Sequence, residues 1–210
     1  AVTYVISGNV TEGNIFVNTT DKGTVRLILN NASISNTTTA PIKVLDAKKV
    51  ILTLADNTTN TITDSSRLST EEDYSAAIYS KEDLIINGNG TLNVNAGYRN
   101  GIKSTDDCII VSGTLNITST EDGIIGKDLC GVVAGDININ AGSDGIKSTY
   151  DTDTTKGNVI IEGGNITIKA SNDGIHAENI LDINDGTINI KTNNGAADTT
   201  QTHTDNMYMG

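Results

Sequence analysis

The side chains best suited to chemistry in this sequence are aspartates that recur in front of a glycine. Asp122, Asp144 and Asp173 each begin the phrase Asp-Gly-Ile, and Asn100 and Asn194 stand at the equivalent position in two further copies. The steps between these five positions are 22, 22, 29 and 21 residues. If each step is one layer of a stacked repeat, neighbouring carboxylates lie about 4.8 Å apart. Two of them could then share one calcium ion.

Such a column of aspartates needs a physical reason. At an effective dielectric constant of 20, each neighbouring pair repels by roughly 3.5 kcal/mol, and a bound calcium ion would relieve that repulsion. The alternative is structural, because an Asx side chain before glycine can bond to its own backbone and stabilise a turn. Both interpretations stay open. The predicted calcium ligands are Asp122, Asp144, Asp173, Glu121, Asp128, Asp151, Asp153 and Glu178.

A second candidate metal site lies in the insertion that lengthens one step to 29 residues. Within this segment, residues 150–157, Asp151 and Asp153 place oxygens at alternate positions, as at the start of a calcium loop. The segment lacks the terminal glutamate of such a loop, so a solvated acidic turn is the alternative.

Cations and aromatic rings run beside the aspartate column on the outward side of the same strands. The predicted row is Lys43, Tyr79, Lys103, Ile125, Lys147, His176 and Ala197. A uronate could bind calcium while a lysine reaches a second oxygen, or the lysines could simply neutralise the aspartates. A lysine near calcium could also act as a base at C5 of a uronate, with Lys147 or Lys103 in that role. The predicted ligand-binding residues are Lys103, Lys147, His176, Tyr79, Tyr98 and Tyr150.

A second phrase repeats with the same period and indicates how these residues are positioned. It reads GTLNVNA from Gly90, GTLNITS from Gly113 and GDININA from Gly135, with related copies at Gly164 and Gly186. Two phrases in one period indicate a repeat architecture. Short alternating runs of Ile, Val, Asn and Thr, without an amphipathic helix, favour an all-β parallel β-helix over a leucine-rich repeat. About 22 residues and three short strands would make one coil, in roughly seven coils that bury their core only by stacking.

The alternation of side chains predicts three inward rows of aliphatic residues. The rows are Leu92/Val94, Leu115/Ile117, Ile137/Ile139, Ile166/Ile168 and Ile188/Ile190; Cys108, Cys130, Val159 and Leu181, followed by Ile110, Val132, Ile161 and Ile183; and Ile78, Ile102, Ile124, Ile146 and Ile175. The two cysteines would stack in adjacent coils, either as buried thiols or as a disulfide, since the coil spacing falls within the range that a disulfide accepts.

We expect a single domain over residues 1–210. Residues 1–22 are predicted to cap the first coil, because an open end would expose a sheet edge. Residues 64–73 and 150–157 are predicted external loops, and residues 199–210 a C-terminal cap or tail.

Composition excludes several classes of function. The net charge of −12 and pI near 4.4 disfavour nucleic acid and anionic membranes and favour divalent cations. No apolar run approaches the length that spans a bilayer. No Ser, His or Cys arrangement forms a nucleophilic triad, and no two carboxylates stand out as a glycosidase pair. We expect a monomer, and the Ala at position 1 is compatible with a removed leader or tag.

With these features in place, the sequence resembles a family of bacterial secreted carbohydrate-binding domains related to pectate lyases, in particular to the ninth polysaccharide lyase family. The most specific shared phrase is (S/N)DGI(K/H)(S/A), which occurs as SDGIKS from Ser143 and NDGIHA from Asn172. The resemblance implies a right-handed parallel β-helix with calcium at its turns and with binding of cellulose and acidic, pectin-type sugars. Carried onto this sequence, it gives Asp144 and Asp173, with Asp122 in the degenerate copy EDGIIG.

The lyase relatives imply an aspartate cluster and a basic residue, for which Lys147 or Lys103 could stand, but the full lyase motif is not matched. Arg26 and Arg67 lie outside the regular repeats and Arg99 just precedes an Asx, so a substrate-clamping arginine is missing. We therefore expect a secreted or cell-surface, calcium-containing protein that binds plant cell-wall polysaccharide without cleaving it. The alternatives are a weak calcium-dependent lyase and an adhesin or spacer that calcium stiffens.

Overall fold

A computed structural model describes residues 1–20, 23–65 and 74–193, together with the backbone of 200–203. These ranges contain β-strands, turns and bends, with no helix among them, and hence no helical segment that could cross a membrane. The strands fall into three columns. From β4 to β21, strands within a column pair in parallel with the strand three elements further along the chain. The fold is therefore a stack of three-strand layers in the described part of the chain.

The first column contains β5 (Lys49–Leu54), β8 (Leu84–Gly88), β11 (Asp107–Ile110), β14 (Leu129–Val132), β17 (Asn158–Ile161) and β20 (Leu181–Ile183). The second column contains β6 (Thr59–Asp64), β9 (Thr91–Ala96), β12 (Thr114–Ser119), β15 (Asp136–Ala141), β18 (Asn165–Ala170) and β21 (Thr187–Thr192). The third column contains β2 (Ile15–Asn18), β4 (Ile42–Asp46), β7 (Ala76–Ser80), β10 (Asn100–Ser104), β13 (Ile124–Gly126), β16 (Ile146–Lys147) and β19 (Ile175–His176).

One long strand, β3 (Thr24–Asn36), joins the first two columns into a single sheet. Its first half pairs with β5 and its second half with β6, both in parallel. At one end of the stack β1 (Val2–Thr11) pairs in parallel with β3, and at the other end β22 (Thr200–His203) pairs antiparallel with β21. The third column forms a separate sheet of seven described strands.

The core lies between the columns and is built from the inward rows that the alternation predicted. Leu92, Leu115, Ile137 and Ile166 are buried in register, and so are Ile78, Ile102, Ile124 and Ile146 in the third column. Each row presents an aliphatic side chain to the next layer, so burial depends on stacking rather than on any one layer. Stacked aliphatic side chains therefore supply the buried apolar surface of the core, with few aromatic residues.

The inward rows weaken at the last described layers. Leu181, predicted to be inward, is 47% exposed, and Ile175 and Ile183 are only partly buried. These side chains belong to the last strands of the first and third columns, β20 and β19, which have no further strand to cover them among the described residues. The prediction of full burial was therefore wrong at this end.

Cys108 and Cys130 are in-register neighbours on β11 and β14, as the spacing predicted, and they are free thiols that are completely buried. Burial raises the pKa of Cys130 to about 12 and raises that of Cys108 well above its ordinary value, because it disfavours the thiolate. Of the two alternatives left open by the sequence, the structure shows core thiols rather than a disulfide.

The predicted caps and external loops correspond only in part to the observed elements. Residues 1–20 contribute β1 and β2 to the two sheets, and the insertion 150–157 lies between β16 and β17 without a strand of its own. Asp64, predicted to begin a loop, is the last residue of β6 and is buried. Residues 66–73, 194–199 and 204–210 lie outside the described residues, together with Asn194, Ala197 and most of the predicted C-terminal cap.

Candidate functional site

The outward positions of the third column form one continuous row, here called the outer row. Its in-register members are Phe16, Lys43, Tyr79, Lys103, Ile125, Lys147 and His176. Neighbouring members are one strand spacing apart, about 4.8 Å. Lys43, Lys103 and Lys147 therefore recur at every second layer, with buried Tyr79 and Ile125 between them. Phe16 was not predicted, although the alternation of Ile15, Phe16 and Val17 was its signal.

The Asx residues of the repeated phrase form a second row beside it, the Asx column, which comprises Asn100, Asp122, Asp144 and Asp173. The first three side chains each accept a hydrogen bond from the backbone N–H of the next member, at 3.0, 2.9 and 2.9 Å. The structural alternative had foreseen an Asx bonding to its own backbone. The observed bonds instead link successive layers, so these side chains stabilise the stack.

The glycine after each Asx is required by close packing between layers. A Cβ added to Gly123 would lie 2.5 Å from the carbonyl oxygen of Gly145, and one added to Gly145 would lie 2.5 Å from that of Gly174. The backbone of each layer thus passes directly over the next at this position. That contact brings the Asx side chain within reach of the next N–H.

Lys147 is held by two members of the Asx column. Its Nζ lies 2.7 Å from Asp144 Oδ2 and 3.9 Å from Asp122 Oδ2, and the Asp144 side chain is 1% exposed. Burial opposes ionisation of Asp144, but hydrogen bonds from Lys147, the Asp173 N–H and Asn172 outweigh it and lower its pKa. Burial likewise opposes the charge of Lys147, yet Asp144 and Asp122 raise its pKa. This pair is an internally neutralised ion pair.

His176 stands in the next layer with carboxylates on both sides. Its Nδ1 lies 3.3 Å from Asp173 Oδ2 and its Nε2 lies 3.4 Å from Glu178 Oε1. Asp144, Asp173 and His176 each offer one ligand atom within 4.8 Å of the others. The sequence predicted Asp144, Asp173 and Glu178 as calcium ligands and His176 as a ligand-binding residue in the row beside them, and the structure places Asp173 and Glu178 in contact with His176.

Lys103 occupies the same outward position two layers before Lys147, but its surroundings differ. Its Nζ donates a hydrogen bond to Ser75 Oγ at 3.2 Å, and no carboxylate of the described residues forms an ion pair with it. Burial lowers its pKa, and the charge of Asp122 offsets this only in part. The residue three positions before it is Asn100, whereas Asp144 stands three positions before Lys147. With an amide in place of a carboxylate, Lys103 has no carboxylate in direct contact among the described residues, and Asp122 acts on its charge only from a distance.

Lys43 is likewise without a carboxylate partner in the described ranges. Its Nζ lies 5.3 Å from the centroid of the Phe16 ring and 4.7 Å from that of Tyr74, and it donates a hydrogen bond to Thr39. Aromatic faces attract the cation without neutralising it. Tyr79, predicted to contact a ligand, is only 6% exposed because Tyr74 packs against it edge-on. That prediction was wrong, and Tyr74 and Phe16 are the more accessible rings here.

A second acidic cluster was not recognised in the sequence. Asp83 and Asp106 lie just before strands of the first column, Asp107 begins β11, and the three offer carboxylate oxygens within 4.8 Å of one another. Burial, a hydrogen bond to Asp128 and the charges of these neighbours raise the pKa of Asp106 to about 6. Burial and the charges of Asp83 and Asp128 also raise the pKa of Asp107. The signal that could have revealed the cluster is an acidic residue before β8 and β11 and again before β14.

The insertion folds back onto this second cluster. Lys156 forms an ion pair with Asp128 at 2.5 Å, and the ring of Tyr150 lies 4.7 Å from Lys127 Nζ and 4.9 Å from Lys156 Nζ. Asp153 accepts hydrogen bonds from the backbone and hydroxyl of Thr155, which lower its pKa. The predicted insertion loop therefore holds a turn around Asp153.

The remaining predicted residues lie apart from these groups. Glu121 is 3.9 Å from Arg99, whose guanidinium lies 5.6 Å from the centroid of the Tyr98 ring. Asp151 is exposed, and among the described residues neither it nor Asp153 belongs to a group of three possible metal ligands. Of the predicted set, the structure therefore brings together Asp122, Asp144, Asp173, Lys147, His176 and Glu178.

Comparisons with known proteins agree with this architecture. A family model described as carbohydrate-binding domain-containing protein matches residues 1–209. A curated protein from Acetivibrio thermocellus with the same description is 36% identical over 118 residues, which are 54% of this chain and 41% of that protein. The chain thus matches about two fifths of that relative's length. A solved structure of a polysaccharide lyase-like protein from C. thermocellum, a gadolinium derivative, superposes with a TM-score of 0.80 and 31% identity, and covers 93% of this chain and 86% of that one.

Proposed function

Because the chain belongs to the carbohydrate-binding domain-containing protein family, we propose that it is a non-catalytic, calcium-binding protein that binds plant cell-wall polysaccharide. The ligands in view are cellulose and acidic, pectin-type sugars such as polygalacturonate. The observation that carries the proposal is the outer row, where cations lie on the outward side of a regular sheet. A straight row of evenly spaced groups suits a linear polymer, and the cations favour one that bears carboxylates.

The finer description of the fold belongs to the same proposal. We take the stack to be a right-handed parallel β-helix of about 22 residues per coil, in roughly seven coils. Support comes from the three-strand period of the pairing and from the TM-score of 0.80 to a polysaccharide lyase-like protein. We propose that the protein acts as a monomer outside the cell or at the cell surface, where such polymers are met.

Calcium is part of the proposal, and the donors fit it better at the second acidic cluster than at the Asx column. Both carboxylate oxygens of Asp144 already accept hydrogen bonds, Oδ2 from Lys147 and Oδ1 from Asn172 and the Asp173 N–H. A hard cation that takes six to eight oxygen ligands needs carboxylates that are free to turn toward it. The gadolinium in the structural neighbour is also a hard, oxygen-binding cation.

At the second cluster, burial first and the neighbouring carboxylates second raise the pKa values of Asp106 and Asp107, so a cation placed among them would favour the charged forms. A calcium ion there would be held by Asp83, Asp106 and Asp107, with Asp128 beside them, and would supply positive charge and rigidity. The predicted ligands Asp122, Asp144 and Asp173 would then serve the stack rather than the ion.

The test is isothermal titration calorimetry of oligogalacturonide, and separately of cello-oligosaccharide, into calcium-loaded protein and again after chelation. Saturable heat with either sugar supports a binding protein, and its loss on chelation supports a calcium-dependent site. If neither sugar gives heat while chelation lowers the thermal midpoint, the protein is instead a calcium-stiffened adhesin or spacer.

A weak calcium-dependent lyase is the second candidate, favoured by the lowered pKa of Lys103 and by the lyase-like neighbour. Lys103 Nζ would take the C5 proton of a uronate while the C4–O bond breaks and a C4=C5 double bond forms. Lys147 is unsuited to this role because Asp144 raises its pKa. Continuous heat proportional to protein concentration, with unsaturated products that Lys103→Met abolishes, would establish the lyase.

A further inference from the structure

The outer row contains two cations of a special kind, and their spacing carries an inference about the ligand. Lys43 and Lys103 are half-buried, and within the described ranges neither forms an ion pair with a carboxylate. Lys103 donates only to a serine hydroxyl, and Lys43 donates to a threonine hydroxyl and lies against aromatic rings. A partly desolvated ammonium group that has no carboxylate in contact gains free energy when an anion reaches it.

The distance between the two lysines follows from the strand register. Lys43 pairs with Tyr79, and Tyr79 pairs with Lys103, so the backbone positions of the two lysines are two strand spacings apart, about 9.6 Å, and their flexible side chains reach outward from there. Two sugars of an extended polysaccharide chain span a comparable length, and in such a chain every second ring presents the same side. Two carboxylates that face the sheet would thus meet the two lysines in turn.

The outer-row position between the lysines is held by Tyr79, which carries no charge. Tyr79 is 6% exposed, and the ring of Tyr74 packs against it at nearly a right angle. A carboxylate placed over this layer would lose water without gaining a positive partner. The intervening sugar is therefore best neutral, or turned so that its carboxylate points to solvent.

The third lysine of the row explains where the site ends. Lys147 stands two layers beyond Lys103, but its ammonium group is engaged by Asp144 at 2.7 Å and by Asp122 at 3.9 Å. An incoming carboxylate would have to compete with two fixed carboxylates there. The usable cations are therefore two rather than three.

Resting on the proposed function, we propose that Lys43 and Lys103 form a paired carboxylate site for an extended acidic polysaccharide, with carboxylates one disaccharide apart along the stack. The substrate class is a linear chain in which every second sugar presents a uronate to the protein. The charge of the intervening sugar does not contribute to binding.

The test titrates four tetrasaccharides of equal length into calcium-loaded protein: one with alternating uronate and neutral sugars, one all-uronate, one with a single uronate and one neutral. The alternating ligand should bind within about threefold of the all-uronate one and about tenfold more tightly than the single-uronate one, as one charge-assisted hydrogen bond predicts. Lys43→Gln and Lys103→Gln should each remove the tenfold advantage. Lys169→Gln, which removes an exposed lysine from the second column, is the matched control and should keep it.

Three outcomes overturn the paired site while the proposed function stands. The first is equal affinity for the alternating and single-uronate ligands. The second is an equal loss of affinity in Lys103→Gln and Lys169→Gln, and the third is equally tight binding of inorganic polyphosphate, since either would mean general charge attraction. Failure of every sugar to bind the unchanged protein would instead remove the proposed function itself.

Discussion

Two layers of the outer row contain nearly the same four-residue phrase, but the lysine of the phrase has different partners in each layer. Asn100-Gly-Ile-Lys103 lies on β10, and Asp144-Gly-Ile-Lys147 comprises β16 and the two residues before it. Both Asx side chains accept a backbone hydrogen bond from the next layer. In the second phrase the carboxylate also captures the lysine at 2.7 Å. In the first, the amide cannot, and the lysine pKa is lowered rather than raised.

The difference teaches that the Asx column has two separable functions. Stacking needs only an oxygen that accepts an N–H, and Asn supplies one as well as Asp does. Neutralising the adjacent cation needs a negative charge, which Asn does not supply. The chain thus keeps one scaffold throughout while varying whether the outward lysine is engaged internally or left for a ligand.

Replacing each lysine by methionine should give the largest contrast between the two layers. Lys147→Met leaves the buried carboxylate of Asp144 without its cation, and we expect a loss of about 2–3 kcal/mol in the free energy of unfolding. Lys103→Met removes a partly desolvated charge that has no carboxylate partner, so stability should change by less than about 0.5 kcal/mol. Urea unfolding at neutral pH measures both. Equal losses in the two variants would show that the layers do not differ in this way.

The effect of calcium on stability tests whether the aspartates of the Asx column act as ion ligands or only as hydrogen-bond acceptors between layers. At a free concentration 100 times its dissociation constant, one bound calcium ion should stabilise the fold by about 2.7 kcal/mol. We expect Asp106→Asn to remove most of this effect and Asp122→Asn to leave it nearly intact.

The measurement is the thermal midpoint with and without chelator in each variant. The reverse result, in which Asp122→Asn abolishes the calcium effect, would return the ion to the Asx column as the sequence predicted.

Exchanging the Asx residues should exchange the properties of the two lysines. In Asn100→Asp, a carboxylate can reach Lys103, so the alternating uronate tetrasaccharide should bind about tenfold more weakly. In Asp144→Asn, Lys147 is released and a third cation appears two layers beyond Lys103. A longer ligand with three alternating uronates should then gain affinity over the tetrasaccharide by a similar factor.

Calorimetric titration of both ligands into both variants measures the exchange. Asn100→Asp also loses the hydrogen bond from Asn100 to the carbonyl of Ser75 at 2.7 Å, so its folding must be checked by thermal unfolding. Unchanged affinity in a folded Asn100→Asp protein would disprove that the Asx residue controls the lysine.

Much of the architecture was predictable because it depends on a two-residue alternation repeated about every 22 residues. The inward rows through Leu115, Ile124 and Cys130 are confirmed for that reason. The site was only partly predictable. Residue type placed Asp144 and Lys147 together, but it could not show that both oxygens of Asp144 are occupied or that Tyr74 covers Tyr79. The cluster at Asp106 escaped notice because none of its aspartates precedes a glycine in the repeated phrase, although Asp83 and Asp107 hold equivalent positions in adjacent layers.

The smallest expected effect is in proton uptake, and it distinguishes the two lysines without altering the fold. The pKa of Lys103 lies below the ordinary lysine value because of burial, so in the free protein the ammonium loses its proton at a lower pH than an exposed lysine would. A uronate beside it favours the charged form and raises that pKa. Affinity should therefore fall as pH rises through the lowered pKa of Lys103, and binding within that window should take up a fraction of a proton.

Titrations in buffers of different ionisation enthalpy measure this uptake. Between the lowered pKa and the ordinary one, the unfolded chain binds more protons at Lys103 than the folded chain, so the same residue makes stability rise with pH there. Lys147 has the opposite shift, so its contribution to stability has the opposite sign and is lost as pH rises from the ordinary lysine pKa to the raised one. Lys103→Gln should abolish both effects, and their persistence in that variant would assign them to another group and remove Lys103 from the binding site.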